Sequence, residues 1–252
     1  MTVKHSVNKQ QTVMLAADVS SYSITTVNLA VEMAASANTE LRCLFVEDED
    51  LLQVSGLPCT SEISLTTGRQ RPTSIDQMQR SLRSIAQQFK QTLQHEAQAL
   101  QIAWSFDTVR GRVRDIGLKP RVDVTYTILG QAVSHRQQTR RVHGPRKILL
   151  IGNDSSHQKH ALEMLLRRFA QQTIEVTLVA DDPETEVLSE IARRIKTNAQ
   201  EMMLTVLNRE QLDNLLDRRG SSFDCAIISR HGESGESLRI LKTLRCPVIL
   251  VA

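Results

Sequence analysis

Arg146-Lys147-Ile148-Leu149-Leu150-Ile151-Gly152, followed by Asn153-Asp154-Ser155-Ser156, is a short apolar run closed by a turn cluster able to cap a helix. Leu162, Leu165, Leu166 and Phe169 then fall on one stripe at about 100° per residue, so a strand passes into a helix with one core-facing side. The unit recurs downstream. Thr173 to Ala180 is β-rich, and Asp182-Pro183 opens a helix carrying Leu188, Ile191 and Ile195. Met202 to Leu207 reads as a third strand. Asn208 with Gln211 forms a capping box before Leu212, Leu215 and Leu216, and Gly220 ends that helix. Phe223 to Ser229 is a fourth strand, Leu238, Leu241 and Leu244 stripe a helix, and Pro247 to Val251 is a fifth strand. Strand runs that are apolar on both faces and alternate with helices predict a doubly wound parallel sheet covered on each side. Ligands in such sheets bind beyond the carboxyl ends of the strands, where the winding reverses.

The first half of the chain opens the same way. Thr12 to Ala17 is a strand, Asp18 to Ser21 a turn, Ile24, Val27, Val31 and Ala34 a helical stripe, and Glu40 to Val46 a second strand. Glu47 to Arg71 has no sustained period and reads as an inserted loop with room for one short helical turn. Thr73 with Asp76 and Ser74 with Gln77 are capping signatures before the longest helix, striped by Ile75, Met78, Leu82, Ile85, Phe89 and Leu93. Ile102 to Arg110 is a third strand, Gly111 to Gly117 a tight turn with room for a short helix, and Asp123 to Leu129 a fourth strand. The expectation is two tandem α/β units, residues 1–143 and 144–252, the first carrying the insert and lacking its last helix and strand.

Three segments in this order resemble the universal stress protein family over nearly the whole chain. Val13-Met14-Leu15-Ala16-Ala17-Asp18-Val19-Ser20 is similar to its first strand with an Asp-x-Ser ending, and Ile148 to Ser155 repeats it with Asn153 in the aspartate position. Cys246-Pro247-Val248-Ile249-Leu250-Val251 is similar to its last strand, and Val109-Arg110-Gly111 with Ile116 to its third strand and turn. The resemblance implies flavodoxin-like layering and, in nucleotide-binding members, an aspartate that contacts adenine. It also implies a Gly-x-x-Gly, nine residues, Gly-Ser/Thr motif that holds ribose and phosphates, where glycines let backbone N–H groups approach phosphate. Carried over, the first site is Asp18, Val46, Gly111 and Gly130, with Val133 where the second glycine belongs. The second is Asn153, Ser229 and Gly232, with only Glu233 to Ser237 left to wrap the phosphates. Both motifs are degenerate. The expectation is that no cofactor is required, with ATP or AMP as the ligand if one binds.

Composition bounds the remaining classes. The 252 residues are 40% hydrophobic and 23% charged, which suits a folded core. Residues 1–143 hold 16 basic and 13 acidic residues, and 144–252 hold 15 of each. Arg136, Arg140, Arg141, Arg146 and Lys147 lie in an acid-free stretch from Leu129, read as a solvated linker. With aromatics at 3% and none among these cations, no nucleic-acid groove is expected. No run of 18 apolar residues and no signal-like opening occur, so no membrane partner and a cytoplasmic location are expected. Cys43, Cys59, Cys225 and Cys246 have no C-x-x-C spacing and read as small core residues, as do Trp104 and the Met202-Met203 pair. Glu47-Asp48-Glu49-Asp50 reads as a solvated turn rather than a cation site, and His157 with His160 as an exposed polar face rather than zinc ligands. No G-x-G-x-x-G, Walker loop or nucleophile elbow occurs.

Two functional classes remain. One is a non-enzymatic universal-stress-type protein acting in stress response or regulation through protein contacts, as an intrachain pseudo-dimer or a homodimer joined through Pro247 to Val251 if that strand lies at a sheet edge. The other is an adenine-nucleotide sensor or weak ATPase using the first unit.

Overall fold

A computed structural model describes residues 12–58, 60–64, 66–119, 121–130, 146–152, 156–169, 173–179, 202–217, 223–229 and 235–251. In chain order the elements are β1 (Val13–Asp18), α1 (Ile24–Ser36), β2 (Leu41–Asp48), α2 (Glu49–Ser55), β3 (Ser61–Ile63), β4 (Gln70–Pro72), α3 (Ile75–Ala99), β5 (Trp104–Gly111), α4 (Val113–Leu118) and β6 (Tyr126–Leu129). They continue with β7 (Arg146–Ile151), α5 (Ser156–Arg168), β8 (Ile174–Val179), β9 (Met202–Leu207), α6 (Arg209–Asp217), β10 (Cys225–Ser229), α7 (Gly235–Thr243) and β11 (Val248–Val251). The expected helix after Asp182-Pro183, the 131–145 stretch, Cys59, Gly220 and Ser234 lie outside the described residues.

Nine strands form one mostly parallel sheet in the order β5-β2-β1-β6-β11-β10-β7-β8-β9. The N-terminal strands run β5-β2-β1-β6, and the C-terminal strands run β9-β8-β7-β10 before β11. The two sets meet where β6 pairs antiparallel with β11, Leu129 opposite Val248 and Tyr126 opposite Val251. The strands of one set therefore point opposite to those of the other, and their carboxyl ends lie at opposite ends of the sheet. β11 is thus central, with both edges paired inside this chain, and not the open edge that the sequence reading made available for strand addition.

The alternation of side chains along each strand builds two cores. On one face Val13, Leu15, Ala17, Ile148, Leu150, Ile227, Ile249 and Val251 pack beneath α1, α3 and α5. On the other, Met14, Ala16, Leu149, Ala226, Ile228, Val248 and Leu250 pack beneath α4, α6 and α7. Both cores run across the β6–β11 seam.

Local chemistry sets the helix starts. Ser23 caps α1 by accepting from the Thr26 N–H, and Ser74 caps α3 through Gln77 N–H. The capping box at α6 forms in both directions: Gln211 N–H donates to Asn208 Oδ1 at 2.8 Å and Asn208 N–H to Gln211 Oε1 at 3.0 Å. α3 is anchored by Phe89, whose ring lies 4.8 Å from Tyr22, 5.5 Å from Phe106 and 6.2 Å from Phe45. Its stripe is Leu82, Ala86, Phe89, Leu93 and Ala97, while Ile75 is exposed.

Four expectations are corrected. The Glu47 to Arg71 insert does hold a short helix but carries more regular structure than the expected loop: β2 extends to Asp48, α2 follows at once, and β3 and β4 form a hairpin. Their brevity hides them from any periodicity test. His157 and His160 are half-buried against the Tyr126 ring, at 6.2 and 6.4 Å, rather than on an exposed face. Met203 is 54% exposed rather than in the core, β9 being the last strand of the sheet among the described residues. Ile75 leaves the predicted α3 stripe, as just noted. Cys43, Cys225 and Cys246 are buried as expected and form no disulfide among the described residues, and burial pushes the Cys43 and Cys225 thiols up.

Tyr126 ties the two sets of strands together. It is fully buried in β6 and its hydroxyl donates to the His157 carbonyl of α5 at 3.3 Å. Burial pushes its phenol from 10.0 up to about 12. The unfolded chain ionises this group near 10.0, the folded chain near 12, so its contribution to stability is complete below pH 10 and is lost as pH rises through 12. Urea unfolding of wild type and Tyr126→Phe across this window should show the wild-type advantage shrinking with rising pH. A constant or growing advantage contradicts the assignment.

Candidate functional site

The winding of the N-terminal strands reverses between β1 and β6, and that of the C-terminal strands between β7 and β10. These two crevices are where the sequence places its candidate residues.

At the first crevice β1 ends in Asp18, whose in-register neighbour on β2 is Val46. Gly130 follows β6 and donates its N–H to the Ala16 carbonyl at 3.2 Å. Asp18, Val46 and Gly130 are therefore brought together, while Gly111 sits two strands from β1, opposite Asp48. Asp18 is only 5% exposed, and one of its oxygens is saturated. Oδ1 accepts from Ser20 N–H at 2.9 Å, Ser20 Oγ at 2.7 Å, Ser21 N–H at 2.8 Å and Ser21 Oγ at 2.8 Å. The Asp18 N–H donates back to Ser21 Oγ at 2.9 Å. This is a side-chain-locked turn of the kind that Asp and Ser favour, and α1 takes its cap from Ser23 instead.

The glycines at this end answer to the chain itself. A Cβ at Gly130 would stand 2.4 Å from the Ser21 backbone oxygen. Gly111 has φ +141°, a backbone only glycine adopts freely, with Ile116 packed against it.

The acidic run beside this crevice is dispersed by pairing. Glu47, 9% exposed, accepts from Arg110 Nε at 3.2 Å. Asp48 caps α2 by accepting from Asp50 N–H at 2.9 Å, and Asp50 takes a two-pronged bond from Arg112 at 2.9 and 2.8 Å. The Arg112 guanidinium holds the Asp50 carboxyl below its usual range. No group of three or more metal-ligating side chains gathers among the described residues. α2 contacts β2, β5 and α3, which sets the insert at the β2–β5 side of this strand end.

At the second crevice Asn153 and Gly232 lie outside the described residues. Ser229 ends β10, 7% exposed, and its Oγ meets no hydrogen-bond partner among them. Its neighbour is Gly152, with φ +135°, where an added Cβ would stand 2.4 Å from Ser229 Cβ and 3.1 Å from Gln158 Nε2. Gln158, 3% exposed, donates Nε2 to the Ile151 carbonyl at 2.8 Å and so fastens α5 to the end of β7.

Sequence reasoning missed the partners more than the positions. Ser20 and Ser21 were visible as polar turn residues beside Asp18, and their seryl spacing was the available signal. The Gln158, Arg110 and Arg112 contacts join residues distant in space or sequence, and no local pattern announces them. A cavity of about 270 Å³ lies away from both crevices, between α1 and α5, with Leu29, Met33, Met164 and Leu165 among its walls and Glu32 paired with Arg168 at its rim.

No family profile and no curated protein sequence matches the chain. Among solved structures, one provisionally described as a universal stress protein from Pseudomonas aeruginosa UCBPP-PA14 is similar at 12% identity, with 96% of this chain and 92% of that chain covered and a TM-score of 0.39. MurG of Acinetobacter baumannii is similar at 12% identity over 87% of this chain and 71% of that chain, with a TM-score of 0.24. Both superpositions are loose. The chain's own geometry fixes the mixed α/β fold with its large, mostly parallel sheet. Among the described residues no helix is long and apolar enough to cross a membrane.

Asp18→Ala strips four donors of their acceptor and should cost about 1–3 kcal/mol in urea unfolding, with Asp18→Asn recovering part of the loss through its remaining carbonyl. Unchanged stability in Asp18→Ala contradicts the locked turn.

Proposed function

We propose that this chain is a non-enzymatic universal-stress-type protein, built of two related units that pair within one chain and acting in stress response or regulation through protein contacts. The single observation that carries the reading is the occupation of the first crevice by the chain's own atoms. One Asp18 oxygen, Oδ1, already takes four hydrogen bonds from the turn that follows it, and the Ser21 carbonyl presses on Gly130. A phosphate needs free N–H donors or cations at such an end. Here Ser20 and Ser21 N–H are spent on Asp18, and Arg110 and Arg112 are spent on Glu47 and Asp50. The matching strand orders β5-β2-β1-β6 and β9-β8-β7-β10 support duplication, and β11 beside β6 supports an intrachain pseudo-dimer.

The competing reading is an adenine-nucleotide sensor or weak ATPase in the first unit. Its support is that Asp18, Val46 and Gly130 do converge.

Thermal shift against ATP, ADP and AMP, with mass spectrometry of small molecules released from the purified protein, separates the two. A nucleotide at about 100 times its Kd stabilises by about 2.7 kcal/mol, equivalent to about 5–10 °C for a chain of this size. The proposal expects no shift and no released nucleotide. A shift that Asp18→Ala abolishes and Asn153→Ala leaves intact establishes the sensor instead.

A further inference from the structure

Helices α1 and α5 touch on one face of the sheet, α1 packed on β1 and β6 and α5 on β10 and β11. The sides they turn to each other do not close. Leu29, Glu32, Met33 and Ser36 recur at 3, 1 and 3 and so form one stripe of α1. Opposite stand Met164, Leu165, Arg167 and Arg168 near the end of α5, and between the stripes lies the cavity of about 270 Å³. Packed interiors hold few voids larger than a water molecule, whereas this one has room for about nine.

Its chemistry is split by depth. Leu29, Met33, Met164 and Leu165 are at most 7% exposed and make the floor apolar. Two of them are methionines, whose unbranched thioethers adapt to irregular shapes. Glu32, Ser36 and Arg167 are exposed and stand at the mouth, with Arg168 half-buried beside them. Arg168 reaches across to Glu32 and lies 5.9 Å over the Phe169 ring, which holds its guanidinium in place. Two guanidinium groups against one carboxylate leave the mouth with an excess of positive charge.

We propose that this cavity binds a small organic acid, with one ring or a short branched chain on the apolar floor and a carboxylate at the mouth that Arg167 holds and for which Arg168 is released from Glu32. A carboxylate suits the mouth because guanidinium matches it with two-pronged hydrogen bonds, and the apolar floor would penalise a second charge. The volume lies just below the roughly 300–1,000 Å³ of drug-sized sites, so the body is a single ring rather than a nucleotide or a long acyl chain. One wall comes from each half of the sheet, and the bound acid therefore bridges them. The cavity lies away from both crevices, so its ligand is independent of the nucleotide question.

Phenylbutyrate is the probe, with phenylbutanol as its uncharged counterpart. The full chain has seven methionines, and isotope-labelled methyl groups place an NMR reporter on each. On titration to millimolar concentrations the Met33 and Met164 signals, assigned through Met33→Leu and Met164→Leu, should move together and saturate, while Met14, buried in the opposite core, stays still. Phenylbutanol should bind about tenfold more weakly, and Arg167→Gln should weaken phenylbutyrate by about the same factor, because a charge-assisted contact is lost. Glu32→Gln should tighten phenylbutyrate by freeing Arg168, which arginines serving only the negative end of α5 would not produce. Ser36→Trp at the exposed mouth should abolish the shifts, with the Met14 signal and far-UV circular dichroism unchanged. Met33 and Met164 signals that do not move, equal binding of the alcohol and the acid, no gain in Glu32→Gln, or shifts that survive Ser36→Trp would each overturn the site.

Discussion

The antiparallel pairing of β6 with β11 is the constraint on which the rest of the structure depends. Four residues on each strand, Tyr126 to Leu129 against Val248 to Val251, are the sole backbone junction between the described N-terminal and C-terminal strands of the sheet. All eight are fully buried or nearly so, so the junction carries packing from both cores as well as its hydrogen bonds. Tyr126 adds a second link by reaching α5, and the Glu32–Arg168 ion pair joins α1 to the same helix. Because the junction is antiparallel, it also fixes the two crevices at opposite ends of the sheet, where they cannot act as one cleft.

Closure of the strand ends follows from short-range chemistry. At β1 the Asp18-Val19-Ser20-Ser21 sequence spends its own donors on its own carboxylate, and Gly130 is small because the Ser21 carbonyl lies against it. At β7 Gly152 is small because Ser229 lies against it. Glycine at a strand end is therefore not by itself a phosphate signal in this chain. The same residue type answers to close backbone approach, and only the neighbours distinguish the two uses.

Much of the sheet was legible in the sequence because most of its strands are buried on both faces. The runs at Val13 to Ala17, Ile148 to Ile151, Ala226 to Ile228 and Val248 to Val251 are unbroken apolar segments for that reason. The α6 capping box was legible because its two partners are three residues apart. What stayed hidden depends on distant partners. Nothing local in Val248 to Val251 says that it pairs with Tyr126 to Leu129, and the half-burial of His157 and His160 comes from a tyrosine thirty residues away in the chain or more. The β3–β4 hairpin is too short to show a period, and Met203 looks like core until β9 is seen to be the last strand among the described residues. At the candidate site, the positions Asp18, Val46 and Gly130 were readable, whereas the four hydrogen bonds gathered on Asp18 Oδ1 were not.

One sheet and two shared cores make the chain a single cooperative body. Equilibrium urea unfolding followed in parallel by the fluorescence of Trp104, which lies in β5, and by far-UV circular dichroism tests it most directly. Coincident transitions from the two probes are expected. Separate midpoints, with the tryptophan transition split from the global one, would contradict it.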